Sequence, residues 1–130
     1  MNNKQVIVVR KDLNMRKGKM VAQGAHASMA AVVNEGSVQE INGQRCLVIP
    51  LDQPMEEWIT GAFKKICVSV NSEAELLAVH QAALDAGLHC ALIRDSGLTE
   101  FGGVATYTTC CIGPNAAEDI DKFTGGFPLL

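Results

Sequence analysis

Near its N-terminus the chain switches abruptly from a run of β-branched residues to a long alanine-rich stretch, and this switch limits the folds open to it. Val6-Ile7-Val8-Val9 is apolar at every position, which predicts a strand buried on both faces rather than one side of an open sheet. After a polar connection from Lys11 to Arg16, the residues from about Gly18 to Asn34 are rich in Ala and Met and free of proline, so they predict a helix. Ala22, Gly24, Ala25, Ala27, Ala30 and Ala31 are small enough to bring that helix close to a sheet, and Gly36 is a plausible stop.

The same alternation recurs downstream. Residues 63–70 predict a second core strand. Ser72-Glu73-Ala74-Glu75 forms a capping box, and the helix it opens carries Leu76, Leu77, Val79, Ala83 and Leu84 before Gly87 ends it. His89–Ile93 predicts the next strand, followed by a polar loop starting at Arg94-Asp95. Residues 104–112 predict the last strand, and Pro114 suits the first turn of a closing helix to about Phe123. Between the first helix and the second core strand, residues 35–57 predict an inserted hairpin turning at Asn42-Gly43, with Cys46–Ile49 as a strand closed by Pro50. A short helix around Met55–Gly61 then carries Trp58.

Strands alternating with helices imply an α/β fold, with helices on both faces of a mixed, mostly parallel sheet of about four core strands. The direct strand-to-strand step near residue 100 makes one strand antiparallel. No internal repeat or second domain is visible, so residues 1–130 are expected to form a single domain.

Composition removes several function classes. No apolar run approaches the roughly 20 residues of a membrane span. The run ending at Val9 is too short for the apolar region of a signal peptide, which predicts a cytoplasmic protein. The five cysteines are odd in number and form no CxxC pair, so free thiols are expected. With His26, His80 and His89 scattered and no zinc-type spacing, no metal is expected. The net charge of −3 argues against long-groove nucleic-acid binding. Yet Lys4, Arg10, Lys11, Arg16, Lys17 and Lys19 crowd the first 19 residues against Asp12 alone, a patch suited to a small RNA contact or to a solvated loop.

Two features carry candidate chemistry. Lys19, Gln23 and His26 are spaced i, i+4, i+7 and share a narrow stripe of the first helix, among small or apolar neighbours. A cation, an amide and an imidazole in that setting need partners or a ligand, unless the stripe is simply an exposed edge. The second feature is Arg94-Asp95-Ser96-Gly97-Leu98-Thr99-Glu100, beyond the carboxyl end of a strand where ligands gather in α/β sheets. Asp95 and Thr99 could position a water or a ribose hydroxyl there, or Asp95 could merely cap an Asp-Ser-Gly turn. No Walker-type loop, dinucleotide fingerprint or nucleophile elbow is present.

Together these residues resemble the archaeal/eukaryotic (class II) peptidyl-tRNA hydrolases. The likeness runs through Lys4–Arg10, Asp12-Leu13, Lys17-Gly18-Lys19, Ala22-Gln23 and Ala25-His26-Ala27. It continues in Lys64-Lys65-Ile66, Val70–Glu73, Leu92–Asp95, Gly97–Glu100, Ile112-Gly113-Pro114 and Asp121–Gly125. It covers roughly residues 4–34 and 56–130, several motifs in one order. The resemblance implies a three-layer α/β/α domain, often a homodimer, that cleaves the ester joining a peptide to the 3′ end of tRNA without metal or organic cofactor. It implicates Lys19, Gln23, His26, Asp95, Thr99 and a last-strand threonine, taken as Thr108 with Thr106 the alternative; of these Lys19, Asp95 and Thr99 are expected to be catalytic and Gln23, His26 and Thr108 substrate contacts. Lys17 is expected as a surface phosphate contact.

The chain departs from the family pattern at Ser96, at Asn115-Ala116 and throughout 35–55, which is expected beside the cleft. Lys19 is expected to supply positive charge to an oxyanion or phosphate, and Asp95 to orient or deprotonate water. The alternatives are a member of the same fold that binds RNA or protein without catalysis, and a small-molecule ester hydrolase.

Overall fold

A computed structural model of the chain describes residues 2–130. The elements are β1 (Asn3–Arg10), α1 (Lys17–Val33), β2 (Ser37–Ile41), β3 (Gln44–Val48), α2 (Gln53–Thr60), β4 (Lys65–Val70), α3 (Glu73–Asp85), β5 (Cys90–Asp95), β6 (Thr106–Ala116) and α4 (Ala117–Thr124). Four strands form one sheet in the order β4-β1-β6-β5. β1 pairs parallel with β4 and antiparallel with β6, which is also antiparallel to β5. Three strands therefore share a direction, as the sequence predicts. The inverted strand lies inside the sheet, so the only parallel neighbours among the described residues are β1 and β4.

The β-branched run of β1 explains its place in the middle of two layers. Val6 and Val8 pack with Leu76, Val79 and Ala83 of α3 and Ile120 of α4, while Ile7 and Val9 pack with Ala27 and Ala31 of α1. Ser72 caps α3 as expected, its hydroxyl accepting from the Glu75 N–H at 3.1 Å. Trp58 of α2 is buried with Met55 and Val32, and its indole N–H donates to the Lys64 carbonyl.

β6 is irregular twice. Between the pairs Val6↔Ile112 and Lys4↔Asn115, β6 uses one more residue than β1, and this bulge holds Gly113 and Pro114. Pro114 is thus a strand residue and not the first turn of the closing helix. The bulge asks no ladder N–H of it, pairing resumes at Asn115, and the helix waits until Ala117. Opposite the bulge, Gln5 is fully buried and donates through Nε2 to the carbonyls of Gly113 and Ser28, while accepting from the Ser28 hydroxyl. Gln5→Leu strands these buried acceptors and is expected to lower stability by about 1–3 kcal/mol, read as a lower urea midpoint at constant m. An unchanged midpoint would show that water replaces the amide.

The hairpin forms as expected, with Asn42 and Gly43 at φ 51° and 78°, the turn geometry that suits this dipeptide. Its position is a correction. Glu35 and Asp52, at the two ends of the ribbon, both bond the His89 ring, just before β5 begins. Asp95 stands at the far end of that strand. The 17-residue α1 carries the chain away before the hairpin starts, so the ribbon lies at the opposite end of the sheet from Asp95.

Candidate active site at the end of strand β5

Arg94 and Asp95 close β5, paired with Tyr107 and Thr106, and do not open the loop as the sequence suggests. Their register reveals the second irregularity. Ile93 faces Thr109 and Arg94 faces Tyr107, so Thr108 is the extra residue of a bulge. Bulges re-aim side chains. Here Tyr107 and Cys110 pack toward α3 and α4, while buried Thr108 turns toward α1 and donates its hydroxyl to Gln23 Oε1. That bond fixes the Gln23 amide, leaving Nε2 to donate to Asp95 Oδ1 at 3.3 Å.

Lys19, one turn earlier on α1, completes the cluster. Its ammonium donates to Asp95 Oδ1 and to Thr99 Oγ1, each at 2.8 Å. The side chains of Lys19 and Asp95 are only 13% and 12% exposed, so the pair is sheltered from screening. Asp95 Oδ2 accepts from the Gly97 N–H at 2.9 Å, closing the turn that returns Thr99 to Lys19. The Lys19 hydrogen bond, supported by the Gly97 and Gln23 donors, holds the Asp95 carboxyl below its usual range despite burial. Such a carboxylate is a weak base and a strong anchor. The Phe101 ring lies 5.8 Å from the Lys19 ammonium.

The expected residues separate into two groups. Lys19, Gln23, Asp95, Thr99 and Thr108 form one hydrogen-bonded network. His26 is exposed and, among the described residues, bonds to none of them. Lys17 lies on the opposite flank of α1, where it lines an apolar groove of about 890 Å³ with Val21, Met29, Trp58 and Phe63. Thr106 bonds the Val104 carbonyl and stays out of the network. Gly97 was not among the sequence candidates, although the Asp-Ser-Gly turn marks it. Among the described residues no group of three or more His, Cys, Asp or Glu is arranged to hold a metal, and no helix is long and apolar enough to cross a membrane.

Fold and site together define an α/β domain with a cation–carboxylate–hydroxyl cluster at the carboxyl end of an edge strand. The family model described as "Peptidyl-tRNA hydrolase PTH2" matches residues 3–130, and the chain belongs to that family. It is 40% identical over 127 residues to a peptidyl-tRNA hydrolase of Methanocaldococcus jannaschii, covering 98% of this chain and 99% of that one. It is 41% identical to the Methanopyrus kandleri peptidyl-tRNA hydrolase, with 98% and 97% covered. A Drosophila melanogaster protein named probable peptidyl-tRNA hydrolase 2 is 39% identical over 129 residues, which is 99% of this chain and 62% of the fly protein.

Proposed function

We propose that this chain hydrolyses the ester of peptidyl-tRNA, releasing peptide and free tRNA, with the chemistry at Lys19, Asp95 and Thr99. The observation that carries the reading is the Lys19 ammonium held between the Asp95 carboxylate and the Thr99 hydroxyl. Ester hydrolysis builds negative charge on the carbonyl oxygen, and a preorganised ammonium stabilises it where it forms. Thr99 accepts from Lys19, so its own hydrogen is free to donate to a substrate oxygen. Asp95, with three donors already on it, orients Lys19 and a water rather than taking a proton. Gln23 and Thr108 keep that carboxylate in place, and His26 is a substrate contact beyond the cluster.

The start of α1 also favours a polyanion. Its first turn has no acid and no side-chain cap, and carries Lys17 and Lys19 at the positive end of the helix dipole. That arrangement lowers helix stability and concentrates positive potential beside the site, which suits Lys17 as a tRNA phosphate contact.

In this reading residues 1–130 act as one domain, with 35–57 an added hairpin-bearing connection, in the cytoplasm, where five free thiols are at home. A homodimer is supported by the apolar groove, because exposed Val21, Met29 and Phe63 flank it and give one surface both knobs and a hollow. Sedimentation showing monomer at all concentrations removes the dimer.

The test is release of labelled peptide from peptidyl-tRNA as salt and pH vary. Turnover should fall with rising salt as phosphate contacts weaken. Because Asp95 ionises below the usual carboxylate range, activity that depends on its charge is complete above that range and disappears only as pH falls beneath it. An acid limb near neutrality would remove Asp95 as the titrating group. Binding of tRNA without release marks a non-catalytic member of the fold, and equal turnover of simple aminoacyl esters marks a small-molecule hydrolase.

A further inference from the structure

The sheet has two edges, and the chain treats them differently. Along β4 the C-terminal tail adds itself as a short antiparallel strand. The Ser69 N–H donates to the Pro128 carbonyl at 2.9 Å, the Leu130 N–H to the Cys67 carbonyl at 3.1 Å, and Val68 bridges Leu129. The other edge, β5, pairs among the described residues with β6 alone.

The orientation of the free edge follows from one bond. The His89 carbonyl accepts from the Gly113 N–H of β6 at 2.7 Å. Main-chain groups alternate sides along a strand. Those of Ala91 and Ile93 therefore face β6, and those of Cys90, Leu92 and Arg94 point outward. The side chains alternate between the two faces with the same period, Ala91 and Ile93 packing toward α1 and Cys90 and Leu92 against the α3 layer, with Arg94 exposed. Among the described residues nothing bonds to the outward amides and carbonyls of these three. Nor does β5 carry the devices that blunt an edge. It has no proline and no lysine, its first four residues are uncharged, and the bulge beside it belongs to β6.

This open edge ends at Asp95, where Lys19 and Thr99 converge. We propose that the peptide moiety of the substrate binds along β5 as an added strand, parallel to it. The inference rests on the hydrolase reading above. Direction follows from chemistry. The scissile carbonyl is at the peptide's C-terminal end and must lie at Lys19, so the preceding residues run back past Arg94, Leu92 and Cys90. Positions 90–94 span roughly 13 Å at about 3.3 Å per residue, so the four or five residues nearest the ester are held. Main-chain pairing reads no side chain, so peptides of differing sequence are accepted alike.

The test uses the intact protein and one tRNA charged with a five-residue peptide, N-methylated at one amide at a time. Acetyl-aminoacyl-tRNA, which has almost no peptide to pair, is the control. Methylation of amides facing β5 is expected to raise KM roughly two- to tenfold at alternate positions, with kcat unchanged. Side-chain changes at the same positions should leave KM unaltered. If all methylated substrates turn over with one KM, or if KM follows side-chain identity, the edge assignment is wrong while the hydrolase reading stands. If neither the unmethylated pentapeptidyl-tRNA nor the acetyl-aminoacyl control is hydrolysed, the hydrolase reading fails and takes the edge assignment with it.

Discussion

Lys19→Ala is expected to lower kcat by about two to three orders of magnitude while leaving the fold intact. The ammonium belongs to no core cluster, and Asp95 keeps the Gly97 and Gln23 donors when it is gone. Lost instead is the only cation bonded to Asp95 among the described residues, together with the donor that holds Thr99. Single-turnover peptide release reads the chemical step, and circular dichroism checks the fold. Release within threefold of the parent rate would falsify the role of Lys19 as site cation. Asp95→Asn should also be severe, because it removes the counter-charge that fixes the ammonium. Combined with Lys19→Ala its cost should not add, since the two side chains act through one bond.

The second large effect is expected at a residue with no side chain. Gly97 sits at φ 83°, and a Cβ there would lie 2.0 Å from the Val104 carbonyl oxygen. Backbone atoms of the same loop cannot give way to it without moving the turn. That turn is closed by Gly97 itself: its N–H reaches Asp95, and its carbonyl accepts from the N–H groups of Phe101 and Gly103. Gly97→Ala is expected to displace Thr99 and loosen Asp95, lowering kcat/KM on the order of 100-fold, the scale on which small misplacements act. The global stability loss should be smaller, about 1–3 kcal/mol, because most of the loop is exposed and it meets the core through half-buried Phe101. Ser96→Ala, which changes an exposed neighbour without touching the turn, is the control and should stay near parent activity. Parent-like kinetics for Gly97→Ala, with the melting temperature unchanged, would mean that the loop conformation does not set the site.

Local signals and long-range geometry divide what was legible. Ser72 with Glu75, the Asn42-Gly43 turn and the Lys19/Gln23 stripe are read from neighbours a few residues apart, and each stands where its spacing puts it. The mixed sheet follows from the alternation of strands and helices, and the inversion of one strand from the direct step between the last two strands, while the strand order β4-β1-β6-β5 is set by long-range pairing. The bulges of β6 were not legible, because a bulge is defined by two strands at once. Pro114 reads as a helix opener for that reason, and only the extra residue opposite Arg94 distinguishes Thr108 from Thr106. Gln5, at the polar entrance to the apolar run, gives no hint that it answers a bulge more than 100 residues away. His26 shows the converse limit. It shares the stripe, yet the cluster ends with Gln23, because Asp95 reaches only the first two turns of α1.

The central seat of β6 bears on how such a chain is made. Strand β6 is zipped between β1 and its own predecessor β5, so the sheet closes only when chain segments about a hundred positions apart meet. Such distant pairing is slow to organise. Thr108 arrives with that strand, and without it Gln23 has no hydroxyl to orient it beside Asp95. A growing copy, itself a peptide esterified to tRNA, therefore lacks the finished cluster until β6 has emerged from the ribosome. Closure of the sheet by β6 is therefore the step that completes the cluster during synthesis.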